Sequence, residues 1–372
     1  MNTQLKLLNI LLTAAFVSGA HASNHLSATA AAGELIPQTG HTSNVTDWRF
    51  TRGQVFNGVA GALDGVARLE YSNSGGNWAC SGSLLAGGAY VLTAAHCADN
   101  YTSMTVKFGV DNGSASVVRN VALGAATIHS GWNGTLDTGA DIAILKLDQK
   151  VTGIAGYKIS TTNDVGKEFL MAGYGTTQIA TTNAPTNWND WKYGHFGFNT
   201  FDVQSNDLNK AIGDVRSNWY NPADYAYGAT YVSDFDSGSA AHNTLGRVAS
   251  ATGGTWGNTL GLGARESLIA GGDSGGGDFV WNGSEWLLSG VHSWGWGGQN
   301  PCLAAYVADY LTCDNAPQNG SSYGDLSGST ATFSHAAWIA SVTAVPEPES
   351  YAMLLAGLLT LGSVVRRRKQ GA

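Results

Sequence analysis

Cys80-Ser-Gly-Ser-Leu-Leu-Ala-Gly-Gly-Ala-Tyr90-Val-Leu-Thr-Ala-Ala-His96-Cys97 is the stretch on which the fold turns. A short apolar run broken by glycines and ending at His96 puts a histidine at the end of a buried strand, beside a cysteine able to pin the turn. Ala94 to Ala98 has the length of one helical turn. The same pattern spreads outward: Val66 to Tyr71, Met104 to Val110 and Ile142 to Leu147 are short apolar runs separated by Gly, Asn and Asp turns. That is an all-β pattern, beginning at Val55 and showing no repeat of fixed period. Ala336 to Val342 is the exception, a terminal helix on which Trp338, Ile339 and Val342 share a face.

The 372 residues can bury a substantial core, as one large domain or two packed lobes. The composition is that of a folded extracellular chain, with 43% hydrophobic and only 12% charged residues and 50 Gly to feed turns. A net charge of -8 excludes a general nucleic-acid role, because phosphate binding needs clustered Lys and Arg. Residues 1–22 form a signal peptide: Lys6 precedes the apolar stretch Leu7 to Val17, and Ala20-His21-Ala22 is a small-x-small cleavage site. Export makes the even set Cys80, Cys97, Cys302 and Cys313 two disulfides rather than metal ligands. Three connectivities are open, and pairing by proximity, Cys80 with Cys97 and Cys302 with Cys313, is expected. Residues 23–54 are polar and aperiodic, so they are expected to be a pro-segment or linker outside the core.

Residues from about 179 to 261 are crowded with Asn, Asp, Tyr, Trp and Phe and alternate weakly, which is expected of a long surface insertion. Within it, Asp234-Phe235-Asp236-Ser237-Gly238 could ligate calcium, but without a bidentate glutamate at the usual spacing it is expected to be a plain turn. No metal or other cofactor is expected.

Peptide hydrolysis needs a nucleophile, a base to take its proton and donors for the oxyanion. His96 is a candidate base. Asp141 opens Asp-Ile-Ala-Ile-Leu-Lys-Leu, a single carboxylate feeding an apolar strand, whereas nearby Asp137 lies in a Gly-Thr loop without that sequel. Ala270-Gly-Gly-Asp273-Ser274-Gly275-Gly276 is a serine loop whose glycines let backbone approach a substrate carbonyl.

Together, Thr-Ala-Ala-His96-Cys97, the Asp141 segment and Gly-Asp-Ser274-Gly-Gly resemble the three boxes of the chymotrypsin-like (trypsin-type) serine peptidases, in that family's order His, Asp, Ser. The resemblance spans about Val55 to Val342. It implies two six-stranded antiparallel β-barrels with a short C-terminal helix, and a peptidase domain at 55–344. It further implies Ser274 as nucleophile, His96 as base and then acid, Asp141 as its orienter, and the N–H groups of Gly272 and Ser274 as oxyanion hole. Gly290-Val-His-Ser293-Trp294-Gly295 resembles the family's substrate-pairing strand, with Ser293 also supporting Asp141. By the same resemblance, Leu268 forms the base of the primary pocket with Ala304 and Ala305 on its wall. A leucine there favours an apolar P1 side chain over Arg or Lys. Val55-Phe56-Asn57-Gly58 resembles the family's mature start, so Asp273 is expected to pair with a new N-terminus cut at Gln54-Val55. The chain is expected to be a secreted monomeric endopeptidase acting on polypeptides. A non-enzymatic binding protein on the same fold is the rival, which loss of a triad residue would have signalled.

At the other end, Val345-Pro346-Glu347-Pro348 precedes the apolar stretch Tyr351 to Val365 and the cluster Arg366 to Lys369. Fifteen apolar residues are short for a stable span, so a transient membrane association through 351–365 is expected. The three parts resemble the PEP-CTERM sorting signal of Gram-negative bacteria, assigned to 345–372. That implies an exosortase-type partner and localisation to the cell envelope or surface, or secretion.

Overall fold

The computed structural model describes residues 38–40, 45–179, 190, 192–257, 259–296 and 323–344. In the strand Ser103–Phe108, Met104, Val106 and Phe108 are buried while the residues between them are not, the period of two that a half-buried strand imposes. Val66–Asn73 likewise buries Val66, Ala67, Leu69 and Tyr71. Each large apolar side chain so placed contributes roughly 1.5–3 kcal/mol.

Both strands belong to a seven-stranded sheet, ordered Ala126–Ile128, Ala143–Lys146, Tyr90–Thr93, Gly76–Leu84, Val66–Asn73, Ser103–Phe108 and Val117–Val121. A second, eight-stranded sheet runs Val203–Gln204, Thr230–Asp234, Leu326–Ala331, Trp286–Trp296, Gly277–Trp281, Glu168–Gly173, Gly194–Thr200 and Arg49–Phe50. Every pairing inside these two sheets is antiparallel. The all-β, chymotrypsin-like class is the one expected, whereas the strands fall in a seven- and an eight-stranded sheet rather than two six-stranded barrels. The sheets exceed six strands, and in the second the additions include the two-residue edges Arg49–Phe50 and Val203–Gln204. The bridges Leu85 to Tyr157 and Ile159 to Leu288, and the Tyr157 hydroxyl donating to Ala62 O at 2.9 Å, join the halves.

The Cys80–Cys97 disulfide forms as expected, closing a separation of 17 residues. It ties the strand Gly76–Leu84 to the helical turn Ala95–Ala98. Cys302, Cys313, Ala304 and Ala305 lie outside the described residues. Ala336–Thr343 is the terminal helix, with Ile339 its buried residue. Among the described residues no helix is long and apolar enough to cross a membrane, and the apolar segment 351–365 lies outside them.

Two expectations about organisation are corrected. The end of the supposed pro-segment joins the core: Trp48 and Phe50 are 6% and 4% exposed, and Arg49–Phe50 extends the second sheet. Polar composition had masked two core-forming residues, Trp48 and Phe50. The span 179–261 is not a surface insertion throughout, because Gly194–Thr200 and Thr230–Asp234 are strands of the second sheet. What is added around them is a helical layer. Ser205–Val215 and Thr244–Thr252 bury Leu208, Ile212, Leu245 and Val248 with Trp219 and Trp294 in one apolar cluster. The weak alternation has a physical cause: the strands carry buried polar groups such as His195, Asn199 and Asp234.

Candidate active site

His96 sits in the one-turn helix that follows Tyr90–Thr93. Its Nδ1 lies 2.7 Å from Asp141 Oδ2, and its backbone N–H donates to Asp141 Oδ1 at 2.9 Å. Asp141 is fully buried while the His96 side chain remains 23% exposed, so the imidazole is oriented from below and open above. Burial disfavours the imidazolium, but the Asp141 charge and hydrogen bond outweigh it and leave the His96 pKa raised.

The Asp141 loop is fixed from several sides. Ser293, at the irregularity where the Trp286–Trp296 ladder shifts register, donates to Asp141 Oδ2 at 2.5 Å, and its Oγ lies 3.1 Å from Leu136 O. Thr330 Oγ1 donates to Asp141 O at 3.0 Å. His335 Nε2 lies 2.6 Å from Gly139 O, and burial pushes its pKa down to about 4, so the neutral ring donates this bond. Asp137, the nearby competitor, is also fully buried, but the carboxylate on His96 Nδ1 is that of Asp141.

Ser274 lies in the loop before Gly277–Trp281. Its carbonyl accepts from Ser81 N at 2.7 Å and lies 3.5 Å from Cys97 Sγ, the neighbour of His96. Gly275 follows at φ +79°, where a side chain would run into Thr93 Oγ1 and Ser81 O. Only glycine lets the serine loop close on the histidine strand. Among the described residues, no hydrogen bond uses the N–H of Gly272 or of Ser274. Asp273 is 1% exposed; its Oδ1 accepts from Gly175 N at 2.7 Å and its Oδ2 from Ala270 N at 3.0 Å. Burial raises its pKa.

Leu268 is fully buried, and its backbone pairs with Thr39. Trp294 and Gly295 pair with Gly328 and Ser327 on one side, whereas the partner on the other side, Gly277–Trp281, stops at Val291. The chain is uncut, so the N-terminus expected to pair with Asp273 has not been released. Val55 is 58% exposed in a short hairpin, and the carboxylate is held by backbone amides instead.

Sequence reasoning missed two groups beneath the loop. Ser81 Oγ donates to Gly272 O at 2.9 Å and accepts from Tyr174 N at 2.9 Å, stitching three segments together. His292 is buried with Nε2 at 2.7 Å from Asp278 Oδ1 and Nδ1 at 3.1 Å from Asp273 O. Burial disfavours the charged ring, but Asp278 and the bond to Asp273 outweigh it and leave the His292 pKa raised, and both ring nitrogens face oxygen atoms. Both residues stand in segments already singled out, but strand sequence does not tell which small polar residue faces a neighbouring loop.

Among the described residues, the three groups close enough to share a cation are Cys80, His96 and Cys97, and both sulfurs there are consumed by the disulfide. A surface cavity of 430 Å³ is lined by Asp207, Lys210, Asp214 and Trp256 and touches none of these residues.

The protein-sorting motif PEP-CTERM matches residues 344–369. Chymotrypsin-like elastase family member 1 of Canis lupus familiaris is 37% identical over 89 residues, covering 23% of this chain and 34% of that protein. The Felis catus protein of the same name is 37% identical over 89 residues, covering 23% and 33%. The chain thus spans about a third of the length of the curated relatives it matches. Among solved structures, an HL collagenase superposes with a TM-score of 0.48 at 18% identity, covering 80% of this chain and 97% of that one. The protease Anisep from Arthrobacter nicotinovorans gives 0.40 at 15% identity, covering 73% and 90%. The profile of the trypsin family matches residues 57–261, more than half of the 372, and the chain therefore belongs to the trypsin family.

Proposed function

We propose that this chain is an exported serine endopeptidase that cleaves polypeptides through an acyl-enzyme, with His96, Asp141 and Ser274 as its triad. The observation that carries the reading is the buried Asp141 holding His96 Nδ1 at 2.7 Å, with the Ser274 loop packed against the turn that bears His96. That bond fixes the tautomer in which Nε2 is free to take the serine proton. Ser274 Oγ attacks the scissile carbonyl, and the N–H groups of Gly272 and Ser274 receive the oxyanion. His96 then protonates the leaving amine, and the same sequence run with water releases the acid product. Among the described residues no strand pairs with the other side of Trp294 to Trp296, which supports pairing with an extended substrate as an added strand. Apolar burial at Leu268 supports an apolar P1 side chain, and the likeness to chymotrypsin-like elastases agrees with a peptidase of this type. The signal peptide at 1–22 and the sorting motif support export in a Gram-negative bacterium and handling by an exosortase-type enzyme.

A serine-directed fluorophosphonate tests the chemistry: the wild type labels and Ser274→Ala does not. A folded wild type that resists labelling, as exported and after cleavage, overturns it. A peptide library tests the pocket, and strong preference for Arg or Lys at P1 overturns the apolar assignment.

A further inference from the structure

The residues ahead of Val55 pack against segments that flank the nucleophile loop, at two places. Arg49–Phe50 pairs antiparallel with Gly194 and His195 at the edge of the second sheet. Arg49 donates from Nε and NH2 to the two oxygens of Asp190 at 2.6 and 2.7 Å, and its guanidinium lies 3.7 Å over the Tyr193 ring. This bidentate, stacked geometry is specific to arginine. Asp190 also meets His195 Nε2 at 2.9 Å, so the anchor is tied to the strand it pairs with. Phe50, 4% exposed, occupies the space that any side chain at Gly194 would need, and it meets the Tyr174 ring edge-on at 5.5 Å.

From Tyr174 the path to the loop is one residue long. Gly175 N donates to Asp273 Oδ1 at 2.7 Å, and Thr176 N donates to Gly271 O at 2.9 Å. A side chain at Gly173 or Gly175 would collide with the Asp273 carboxylate, so this segment lies flat against it. Farther upstream, Gln38–Gly40 runs parallel to Thr177–Ile179 and antiparallel to Ser267–Leu268, joining by backbone pairing the segment that follows Gly175 to the one that leads to Asp273. In the uncut chain both Asp273 oxygens are already hydrogen-bonded, and Val55 remains exposed.

We propose that Arg49 and Phe50 are positioning residues for the nucleophile loop, bracing Tyr174 and Gly175 against Asp273 so that the oxyanion hole stands ready without cleavage at Gln54-Val55. The upstream segment is then a working part of the enzyme rather than a removable cover. This rests on the serine peptidase reading above. Charged-group chemistry does not require a new ammonium here, because two backbone N–H donors and the Asp273 main chain's bond to His292 already hold the loop.

The test labels the exported full chain with a fluorophosphonate and reads the intact mass of the labelled species. The expected result is label on chains that retain residues 38–54. Phe50→Ala and Arg49→Gln are expected to lower kcat at least 10-fold with KM changed less than 3-fold. Phe50→Leu and Arg49→Lys are expected to recover part of that loss, with thermal unfolding confirming that each variant is folded. Label found only on chains beginning at Val55 overturns the inference and leaves the peptidase reading standing. Label on neither form overturns both. Full kcat in folded Phe50→Ala and Arg49→Gln removes the positioning role even if the uncut chain labels.

Discussion

Asp141 has both oxygens committed, Oδ1 to the backbone of His96 and Oδ2 to its ring and to Ser293, which leaves it no freedom to orient His96 any other way. Asp141→Asn would present an amide N–H or a carbonyl in the wrong place, and kcat is expected to fall about 10⁴-fold, the loss associated with the wrong tautomer in this family's template triad. The base must be neutral to act, and His96 in its folded setting holds its proton above the usual imidazole range. The acid limb of kcat/KM is therefore expected above about 6.5, with activity lost as pH falls through the raised pKa. A limb at or below that value contradicts the assignment. His292 gives a different residue-level prediction. His292→Phe leaves Asp278, fully buried and with Oδ2 already unpartnered, without its counter-charge. The cost is expected at about 3–5 kcal/mol of unfolding free energy in urea titration. The candidates His96, Asp141 and Ser274 could be picked out from three boxes because each box pairs a reactive side chain with local features the backbone needs. Ser81 and His292 could not, since their partners are more than ten residues away and are supplied by other strands or by the loop.

At the scale of elements, the site is a seam between two sheets closed by a few short-range devices. The Cys80–Cys97 bond links a strand of the first sheet to the turn carrying His96. Cys80→Ser with Cys97→Ser is expected to cost roughly 3 kcal/mol by the loop-entropy model, seen as a lower Tm, with a larger loss of activity than of fold because His96 loses its brace. Gly275 is the second device. At φ +79° and in contact with Thr93 and Ser81, it is expected to tolerate no side chain, so Gly275→Ala should abolish fluorophosphonate labelling while circular dichroism keeps its strand signal. Retained labelling would show that the serine loop can close another way. The strands Ser103–Phe108 and Val66–Asn73 were legible from alternation alone. Gly194–Thr200 and Thr230–Asp234 were not, because they place His195, Asn199 and Asp234 in the interior, where the polar side chains are satisfied by other loops: Asn199 Nδ2, for example, donates to Asp234 O and Ser267 O at 2.9 and 3.0 Å.

The whole molecule holds one electrostatic feature that no single element reveals. Asp202, Asp234, Asp236 and Glu266 are all buried and close enough to raise one another's pKa, with backbone amides of Leu245, Asp236 and Leu262 as the donors they receive. Burial first and neighbouring carboxylates second push Asp236 to about 9, while burial takes Asp234 to about 6 and Glu266 to about 7; Asp202 is raised well above its ordinary value. These are carboxyls whose folded pKa exceeds the unfolded one, so the folded state binds more protons between the two values. Their contribution is fully present below about pH 4 and is lost progressively as pH rises toward 9. Tm is therefore expected to fall between pH 5 and pH 9, and Asp236→Asn to flatten the upper part of that slope. A Tm that rises over this window would contradict the cluster as described. The sequence by itself determined the all-β class and the three boxes that offer candidate site residues, because each depends on local periodicity, turn chemistry or immediate neighbours. Only the tertiary structure decided that Trp48 and Phe50 belong to the core, that the span 179–261 supplies strands, and that in the uncut chain Gly175 and Ala270 donate to Asp273. Those outcomes depend on which distant backbone groups meet a buried carboxylate or an open sheet edge, and only the packed chain brings them together.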